Sequence, residues 1–361
     1  MQHGFYPFED LRTNCLTTLL GALLLCPSAG IPGEPDGRTL PATPLPVSRY
    51  STAADLQSLH QGMALVDAQD SEYSGEIVVT GLIRLPVSPT FLASHFPDIL
   101  HNAGNRGSGK FTYFSETPAV SDLAGFSLPA NDLDDLPDCR EGSCKLKLDR
   151  AMIAAFEAFF AQDSPDRDAG ANALFRQLAI DYLGRVQRLG DQALINYYDQ
   201  GSAFSLQALL PEIRTSRGLQ TPIPDLFMET AGIPLPENPE TRFFWQEVDF
   251  GVKRIVFSIN RMMIFDANGD NLPDCFVIEQ LYANHYFEGS RESYRILPEG
   301  DSADGSCYLV YTNRLHIDAL RQGGFFSNFI RRKLKKELRN YIAEHLSTLS
   351  GMAHQRLMAT R

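Results

Sequence analysis

The chain has 361 residues, of which 43% are hydrophobic and 21% charged, a composition that excludes wholesale disorder and permits a sizeable core. Its 44 acidic side chains outnumber 32 basic ones, which gives a formal charge of −12. This balance argues against a nucleic-acid-binding protein, because such proteins need clustered Lys and Arg along the phosphates. Six cysteines are too few for a fold held together mainly by disulfides.

Residues 1–30 predict a signal peptide. Arg12 precedes an apolar run from Cys15 to Cys26, which small residues follow. The run suits the apolar core of a signal peptide and is shorter than the ~20 residues that span a bilayer. Two acidic residues before Arg12 are atypical of a signal, so the alternatives are a true start further downstream and a buried helix. We therefore expect a periplasmic or secreted protein.

Residues 31–50 are rich in proline and predict an extended linker, because such a run cannot form a helix or a central strand. A single domain is expected over residues 51–350, followed by a tail over 351–361. The domain opens with a predicted helix in 51–66 and a β-rich strand in 76–85. Ser88 then suits a helix N-cap.

A helical block follows in the middle of the domain. Apolar residues recur at spacings of three and four over residues 150–216, with breaks at Ser164-Pro165 and Leu189-Gly190. Together with a Pro-rich loop, this block is predicted to be a helical insertion at about 150–240.

After Trp245 the hydrophobic period returns to two. Strands are predicted within 254–265, 276–287, 291–297 and 307–313, and their short connections require antiparallel pairing. The last element is a long helix whose apolar stripe runs from Phe326 to Leu346 and includes His345.

The predicted fold class is α+β, with a curved antiparallel sheet packed on a long C-terminal helix and a helical insertion. This order of elements resembles the START-like (helix-grip) superfamily over residues 75–128 and 250–346. The resemblance implies an apolar cavity between the sheet and the terminal helix.

Three segments are similar to an uncharacterised family of exported bacterial proteins. They are Asp132–Leu136 followed by Cys139 and Cys144, Tyr282–Glu288, and Asn313–Asp318. The similarity implies export but no activity, so no catalytic residue follows from it.

The segment from Gly104 to Lys110 has the glycine and lysine spacing of a phosphate-binding loop. Phe111 stands where that motif has Ser or Thr, and the following residues favour a strand, whereas a phosphate loop opens a helix. A flexible basic turn is therefore favoured.

The segment from Asp266 to Asp274 has part of the oxygen-ligand pattern of a calcium loop. Asn271 replaces the glycine of that loop, and Val277 stands where its last carboxylate belongs. Because Asn268-Gly269 between two strands is a strong hairpin signal, a solvated turn is favoured over calcium. No metal ion or other cofactor is predicted.

Four cysteines lie beyond the predicted signal. Cys139 and Cys144 are separated by four residues, so a local disulfide is feasible, and a second bridge between Cys275 and Cys307 is open. Zinc held by all four is disfavoured, because no Cys-x-x-Cys pair occurs and export implies an oxidising compartment.

Aromatic and polar side chains near the ends of two strands form the candidate ligand site. We interpret the protein as an exported binding protein for an apolar small molecule or lipid, held between the sheet and the C-terminal helix. The other interpretation is a polar network that ties the last strand to that helix. The candidate ligand-binding residues are Tyr282, Asn284, His285, Tyr286, Tyr311, Asn313 and Arg314.

Two functional alternatives remain. One is a hydrolase-like or isomerase-like enzyme with His285 or His316 as the general base and Glu288 or Asp318 orienting it. The other is an envelope interaction protein that docks through the helical block.

A basic run from Arg331 to Arg339 on the terminal helix favours a solvated face. Its alternatives are contact with an anionic membrane surface, with an acidic partner, or with acidic patches on the protein's own sheet.

Overall fold

The structure is a computed structural model that describes residues 52–71, 73–106, 109–162, 165–215, 235–249, 254–300, 305–321 and 325–360. The predicted signal peptide and the Pro-rich linker lie outside these residues, as do positions 216–234 of the predicted Pro-rich loop.

An open antiparallel sheet of eight strands organises the described residues, in the order β1-β2-β10-β9-β8-β7-β6-β3. Strands β4 and β5 form a separate pair. The strands are β1 Leu65–Asp70, β2 Glu76–Leu85, β3 Lys110–Tyr113, β4 Asn196–Tyr197, β5 Phe204–Ser205, β6 Glu240–Val248, β7 Val256–Phe265, β8 Cys275–Ala283, β9 Phe287–Pro298 and β10 Cys307–Ile317.

Helices begin at residues suited to capping them. Ser88 accepts a hydrogen bond from the Phe91 amide, and Asp149 accepts one from the Met152 amide. The helices are α1 Ala53–His60, α2 Pro89–Gly104, α3 Ala130–Asp135, α4 Arg150–Phe160, α5 Arg167–Leu189, α6 Leu206–Thr215, α7 Asp318–Arg321 and α8 Phe325–Ala359.

Helices α2 and α8 pack on one face of the sheet, which we call the cavity face. Phe96 of α2 and Leu346 of α8 are buried in one apolar cluster with Ile83 and Tyr311 of the strands. At Gly81 on β2, a Cβ atom would lie 2.6 Å from Leu346 Cδ1, so the missing side chain lets α8 approach the sheet.

The helical block packs on the other face, which we call the block face. Phe156 of α4 and Phe175 of α5 are buried with Phe257 and Tyr282 of the sheet. The hydroxyl of Tyr182 on α5 donates a 2.6 Å hydrogen bond to the carbonyl of Leu281. In sequence the block lies between β3 and β6, which pair with each other in the sheet.

The α+β class, the antiparallel sheet and the long C-terminal helix are confirmed. The predicted first helix is too long: α1 ends at His60, and Gly62 with φ 77° leads into β1, which the sequence did not predict. The predicted strand 276–287 is also wrong as one element. Strand β8 ends at Ala283 and the chain turns through Tyr286, whose φ is 59°, before β9 begins.

The disulfide between Cys139 and Cys144 is confirmed, with the two Cα atoms 4.3 Å apart. Cys275 and Cys307 are both buried and free, so the second bridge that the sequence left open is not formed. Strand β9 lies between their strands in the sheet, which keeps them on separate ladders.

The described residues of the two motif-like segments lie at element ends and in a turn. Helix α2 ends at Gly104, and strand β3 begins at Lys110, so a strand follows the glycine-rich segment where a phosphate-binding loop would open a helix. The Lys110 ammonium pairs with Glu247 at 3.1 Å. Asp266 accepts hydrogen bonds from the amides of Asn268, Gly269 and Asn271, as in a self-contained turn.

The basic run of α8 meets an acidic strand of its own sheet. Arg331 and Lys335 lie 3.3 and 2.7 Å from the carboxylate of Asp70 on β1. Part of this basic face therefore serves an intramolecular contact.

Candidate functional site

A cavity of about 290 Å³ lies between the cavity face of the sheet, the end of α2 and helix α8. Apolar side chains form part of its wall, among them Phe111, Phe244, Leu315 and Ile342. The strands contribute a polar floor of Gln246, Ser258, Asn260, Gln280, Ser290, Glu292, Tyr294, Tyr311 and Asn313. Such a mixture of apolar walls with convergent polar groups is typical of small-molecule sites.

Two cross-strand pairs form the centre of the polar floor. Strands β9 and β10 place Glu292 opposite Asn313 and Tyr294 opposite Tyr311. The side-chain amide of Asn313 donates to Glu292 Oε1 at 3.0 Å, and the Tyr294 hydroxyl lies 3.1 Å from Glu292 Oε2. The strand register thus brings a carboxyl, an amide and two phenols to one spot.

Helix α8 adds an imidazole to this spot. His345 Nε2 lies 3.0 Å from the Tyr294 hydroxyl, so the phenol bridges the imidazole and the carboxyl of Glu292. Burial without a compensating charge lowers the pKa of His345 to about 4. The imidazole is therefore neutral at physiological pH.

Glu292 is a carboxyl without a cationic partner within the described ranges. Desolvation raises its pKa to about 7, against the smaller lowering effect of the hydrogen bond with Tyr294. The arginines beside it in the sheet do not help, because Arg291 and Arg314 point to the block face and pair with Glu279 and Glu76 there.

Three buried polar atoms along the floor lack a hydrogen bond among the described residues. They are Gln280 Nε2, Asn313 Oδ1 and the Tyr311 hydroxyl, which adjoins the Asn313 side chain. Buried polar groups are nearly always satisfied in native proteins. Donors and acceptors left open beside a cavity are what a bound ligand would satisfy.

The block face carries charges of a different kind. Glu279 on β8 is fully buried and receives Arg214 of α6 at 2.6 and 2.8 Å and Arg261 of β7 at 2.6 Å. Desolvation alone would raise the pKa of Glu279, but the hydrogen bonds and charges of these arginines outweigh it and lower the pKa. Asp191 completes the network by pairing with both arginines.

His285 and Asn284 also have hydrogen-bond partners on or next to the block face. His285 Nε2 lies 2.9 Å from Asp132 Oδ2, and Arg254 pairs with the other oxygen of Asp132 at 2.6 Å. Asn284 accepts a hydrogen bond from the Phe257 amide and holds the turn after β8 against β7. Tyr286 lies in the same turn, with its ring centroid 5.8 Å from that of His285.

Arg314 and His316 share a partner on the block face. Arg314 forms two 2.8 Å hydrogen bonds with Glu76, and His316 Nε2 lies 3.3 Å from the same carboxylate. Burial alone would raise the pKa of Glu76, but the hydrogen bonds of His316 and Arg314 lower it to about 2.

The structure thus separates the seven candidate ligand-binding residues. Tyr311 and Asn313 line the cavity. Tyr282 lies in the aromatic cluster of the block face, Asn284, His285 and Tyr286 lie in the turn that follows β8, and Arg314 pairs with Glu76. A ligand-binding role for these five stays a prediction.

The general-base candidates do not open onto the cavity. His285 and His316 are buried and pair with Asp132 and Glu76, not with the carboxylates predicted to orient them. Of those carboxylates, Glu288 lies 3.1 Å from Arg321 and Asp318 lies 3.8 Å from Lys147.

Sequence reasoning missed Glu292, Tyr294, Gln280 and His345. The signal for His345 was present, because it lies on the apolar stripe of α8, which faces the sheet. The signal for Glu292 was not, since its strand neighbours Arg291 and Ser293 are as polar as it is.

Comparison with solved structures finds a likeness to the Zhui aromatase/cyclase from Streptomyces sp. R1128, with a TM-score of 0.26 and 20% sequence identity. It covers 34% of this chain and 72% of that chain. The likeness is weak and carries no argument about the fold, a ligand or a reaction.

No family model and no curated protein matches the sequence. Membership in the family of exported bacterial proteins therefore stays a prediction. Within the described ranges, no helix is long and apolar enough to cross a membrane, and no group of three or more His, Cys, Asp or Glu side chains is placed to hold a metal ion.

Proposed function

We propose that the protein binds a small amphipathic organic molecule in the cavity between the sheet and α8. The observation that carries the proposal is a cavity of about 290 Å³ whose floor holds unsatisfied donors and acceptors and whose wall is partly apolar. A cavity of roughly 150 Å³ accommodates benzene, so this one suits a ligand of about a dozen non-hydrogen atoms. A whole diacyl lipid is too large for it.

The polar floor refines the expected ligand class. A purely apolar molecule would leave Gln280 Nε2 and Asn313 Oδ1 without partners, at a cost of roughly 1–3 kcal/mol each. A ligand that combines an apolar ring with hydrogen-bonding groups satisfies both parts of the cavity. We therefore favour an amphipathic small molecule within the predicted class of apolar small molecules and lipids.

We further propose that binding takes place outside the cytoplasm. The Cys139–Cys144 disulfide supports this location, because disulfides persist mainly in oxidising compartments. Mass mapping of protein recovered from the periplasm or medium tests it. A free amino terminus near residue 30 and oxidised Cys139 and Cys144 are expected.

The two alternative functions receive no support from the geometry. Both histidines proposed as general bases are buried away from the cavity. In the described part of the helical block, Leu189 is the large hydrophobic side chain that stands exposed, so an apolar docking patch is not seen there.

A cavity-filling variant tests the proposed function. Thr348 of α8 lines the cavity, whereas its neighbour Ser347 is exposed, so Thr348→Phe occludes the cavity and Ser347→Phe is the matched control. We would screen aryl alcohols and aryl amines of nine to fifteen non-hydrogen atoms by ligand-observed NMR. Several should bind wild type and the control and be lost from Thr348→Phe. Equal binding to all three proteins, or to none, would contradict the proposal.

A further inference from the structure

Glu292 has no cationic partner among the described residues around it. It is the acidic group at the centre of the cavity floor, and its hydrogen-bond partners in the described structure, Asn313 and Tyr294, are uncharged. A buried carboxylate normally has a cation beside it, because desolvation of a lone charge is costly. Glu292 instead lines a cavity of about 290 Å³.

The neighbouring groups are well placed to accept hydrogen bonds. Asn313 Oδ1 is a buried acceptor without a partner among the described residues, and the Tyr311 oxygen beside it interacts with the Asn313 side chain and retains further capacity to accept. An alkylammonium group has three donors and no acceptor. Its donors match the carboxylate of Glu292, the amide oxygen of Asn313 and the phenol oxygen of Tyr311.

Aromatic rings surround the same position. The ring centroids of Tyr294 and Tyr311 are 5.0 Å apart, and those of Tyr341 and His345 are 6.5 Å apart in a stacked arrangement. Aromatic faces attract cations and do not attract anions. The rings therefore add to the preference that the carboxylate sets.

We infer that the ligand of this cavity carries a protonated amine, which pairs with Glu292 and donates hydrogen bonds to Asn313 and Tyr311, while its apolar part lies against the cavity wall. This inference rests on the proposed function and names the charge of the ligand. The ligand class is a small primary arylalkylamine.

The charged and titratable groups around Glu292 predict the pH dependence of binding. They are Tyr294 and Tyr311 on the strands, Tyr341, Glu344 and His345 on α8, and the exposed Arg106 and Asp249 on the cavity lining. Burial raises the pKa values of Tyr294 and Tyr311 well above their ordinary value and lowers that of His345 to about 4. Between pH 5 and 8, Glu292, which is half-buried and has a pKa of about 7, is therefore the group on the cavity floor that changes charge.

Amine affinity should accordingly decrease as the pH is lowered. An alkylamine stays protonated over this range, since its pKa is near that of Lys at about 10.4. The free protein loses the carboxylate form of Glu292 below pH 7, so affinity should drop by about tenfold per pH unit between pH 6 and 5. A neutral ligand of the same shape should show no such drop.

Three matched probes test the inference: 2-phenylethylamine, 2-phenylethanol and 3-phenylpropionate. We would measure their dissociation constants for the full chain at pH 8 by titration calorimetry and NMR. The amine should bind about 10- to 100-fold more tightly than the alcohol, and the anion should bind most weakly. Glu292→Gln should abolish the advantage of the amine, whereas Glu337→Gln, at an exposed position of α8, should leave it unchanged.

The outcomes separate the inference from the proposed function. Equal binding of amine and alcohol, or an amine advantage that survives Glu292→Gln, would overturn the inference while a ligand cavity remains. If no probe binds wild type, the proposed function fails and the inference fails with it. Because any loss in Glu292→Gln has to be separated from misfolding, the pH dependence of wild type gives an independent readout.

Discussion

The two faces of the sheet treat buried charge in opposite ways. On the block face, Glu279, Asp132 and Glu76 each receive at least one arginine at 2.8 Å or less. On the cavity face, Glu292 is held by an amide and a phenol, and its pKa rises to about 7. Arg214 of α6 thereby connects the helical block to Glu279 of the sheet, whereas we propose that Glu292, beside the cavity, receives a partner from outside.

This difference explains why charge density alone is a poor guide to function. The block face has more charged side chains and two histidine–carboxylate pairs, although polar atoms such as Arg261 Nε and Thr312 Oγ1 also lack a hydrogen bond among the described residues. The cavity face has fewer such groups, and several of its polar atoms are open. Open polar atoms identify the candidate site only where their residues also line a cavity.

Removing one charge from each face should give the largest contrast. Glu279→Gln leaves Arg214 and Arg261 without their buried partner, so we expect a loss of about 3–5 kcal/mol in the free energy of unfolding. Glu292→Gln removes a charge that has no cation, so stability at pH 8 should be unchanged or higher. Urea denaturation of both variants checks this, and similar losses would refute the contrast between the faces.

The pH dependence of stability sharpens the same comparison. The pKa of Glu292 is raised in the folded state from an ordinary value of 4.5 to about 7, so the folded state binds the extra proton in that window. Its contribution to stability is therefore lost as pH rises from about 4.5 to 7. As the pH rises from 5 to 8, the free energy of unfolding of Glu292→Gln should therefore increase by roughly 1–3 kcal/mol relative to that of wild type.

The comparison with Glu292→Gln is needed because His345 acts in the opposite direction. Its pKa falls from 6.5 to about 4 on folding, so its contribution to stability is lost as pH falls through that window. The difference between wild type and variant cancels this effect. A difference that does not change with pH would contradict the raised pKa of Glu292.

Removing the disulfide tests how far the structure packed on the block face depends on this covalent link. The bridge closes a short loop between Cys139 and Cys144, so Cys139→Ala should cost about 2 kcal/mol at most and loosen the segment locally. Hydrogen exchange over residues 132–148 and urea denaturation measure the two effects. The double variant Cys139→Ala/Cys144→Ala should be no less stable than Cys139→Ala alone. Global unfolding of either variant would contradict a cost of about 2 kcal/mol at most.

Two tyrosines provide the smallest and most closely matched pair. Tyr182→Phe on the block side removes a 2.6 Å hydrogen bond to the Leu281 carbonyl, so we expect a loss of about 1 kcal/mol. Tyr311→Phe on the cavity face removes a hydroxyl whose contact is with the Asn313 side chain beside the cavity, so the loss should be smaller than for Tyr182→Phe. Equal losses in thermal denaturation would show that the Tyr311 hydroxyl is not free for a ligand.

The fold was largely predictable because it rests on local patterns. The period of three and four gave the helical block, the cap at Ser88 gave α2, and the apolar stripe gave α8. The turn at residues 284–286 was not predictable, since its aromatic and polar residues also suit a strand. It separates Tyr282 from the residues that alternation had grouped with it.

The candidate site was predictable only in part, because it depends on strand register and on long-range partners. Tyr311 and Asn313 were among the predicted residues, and both line the cavity. Glu292 became distinctive only once Arg291 on β9 was seen to pair with Glu279 on the adjacent strand β8, which leaves Glu292 without a cationic partner among the described residues. Asp132 and His285 are 153 positions apart in sequence, and no local pattern links them.

A crystal structure with 2-(4-bromophenyl)ethylamine tests the central claim most directly, because anomalous scattering locates the bromine. We predict that the amine nitrogen lies within hydrogen-bond distance of Glu292 and that the bromine lies against the apolar wall near Phe244 and Ile342. A probe found outside the cavity, or one that turns its amine away from Glu292, would contradict the account.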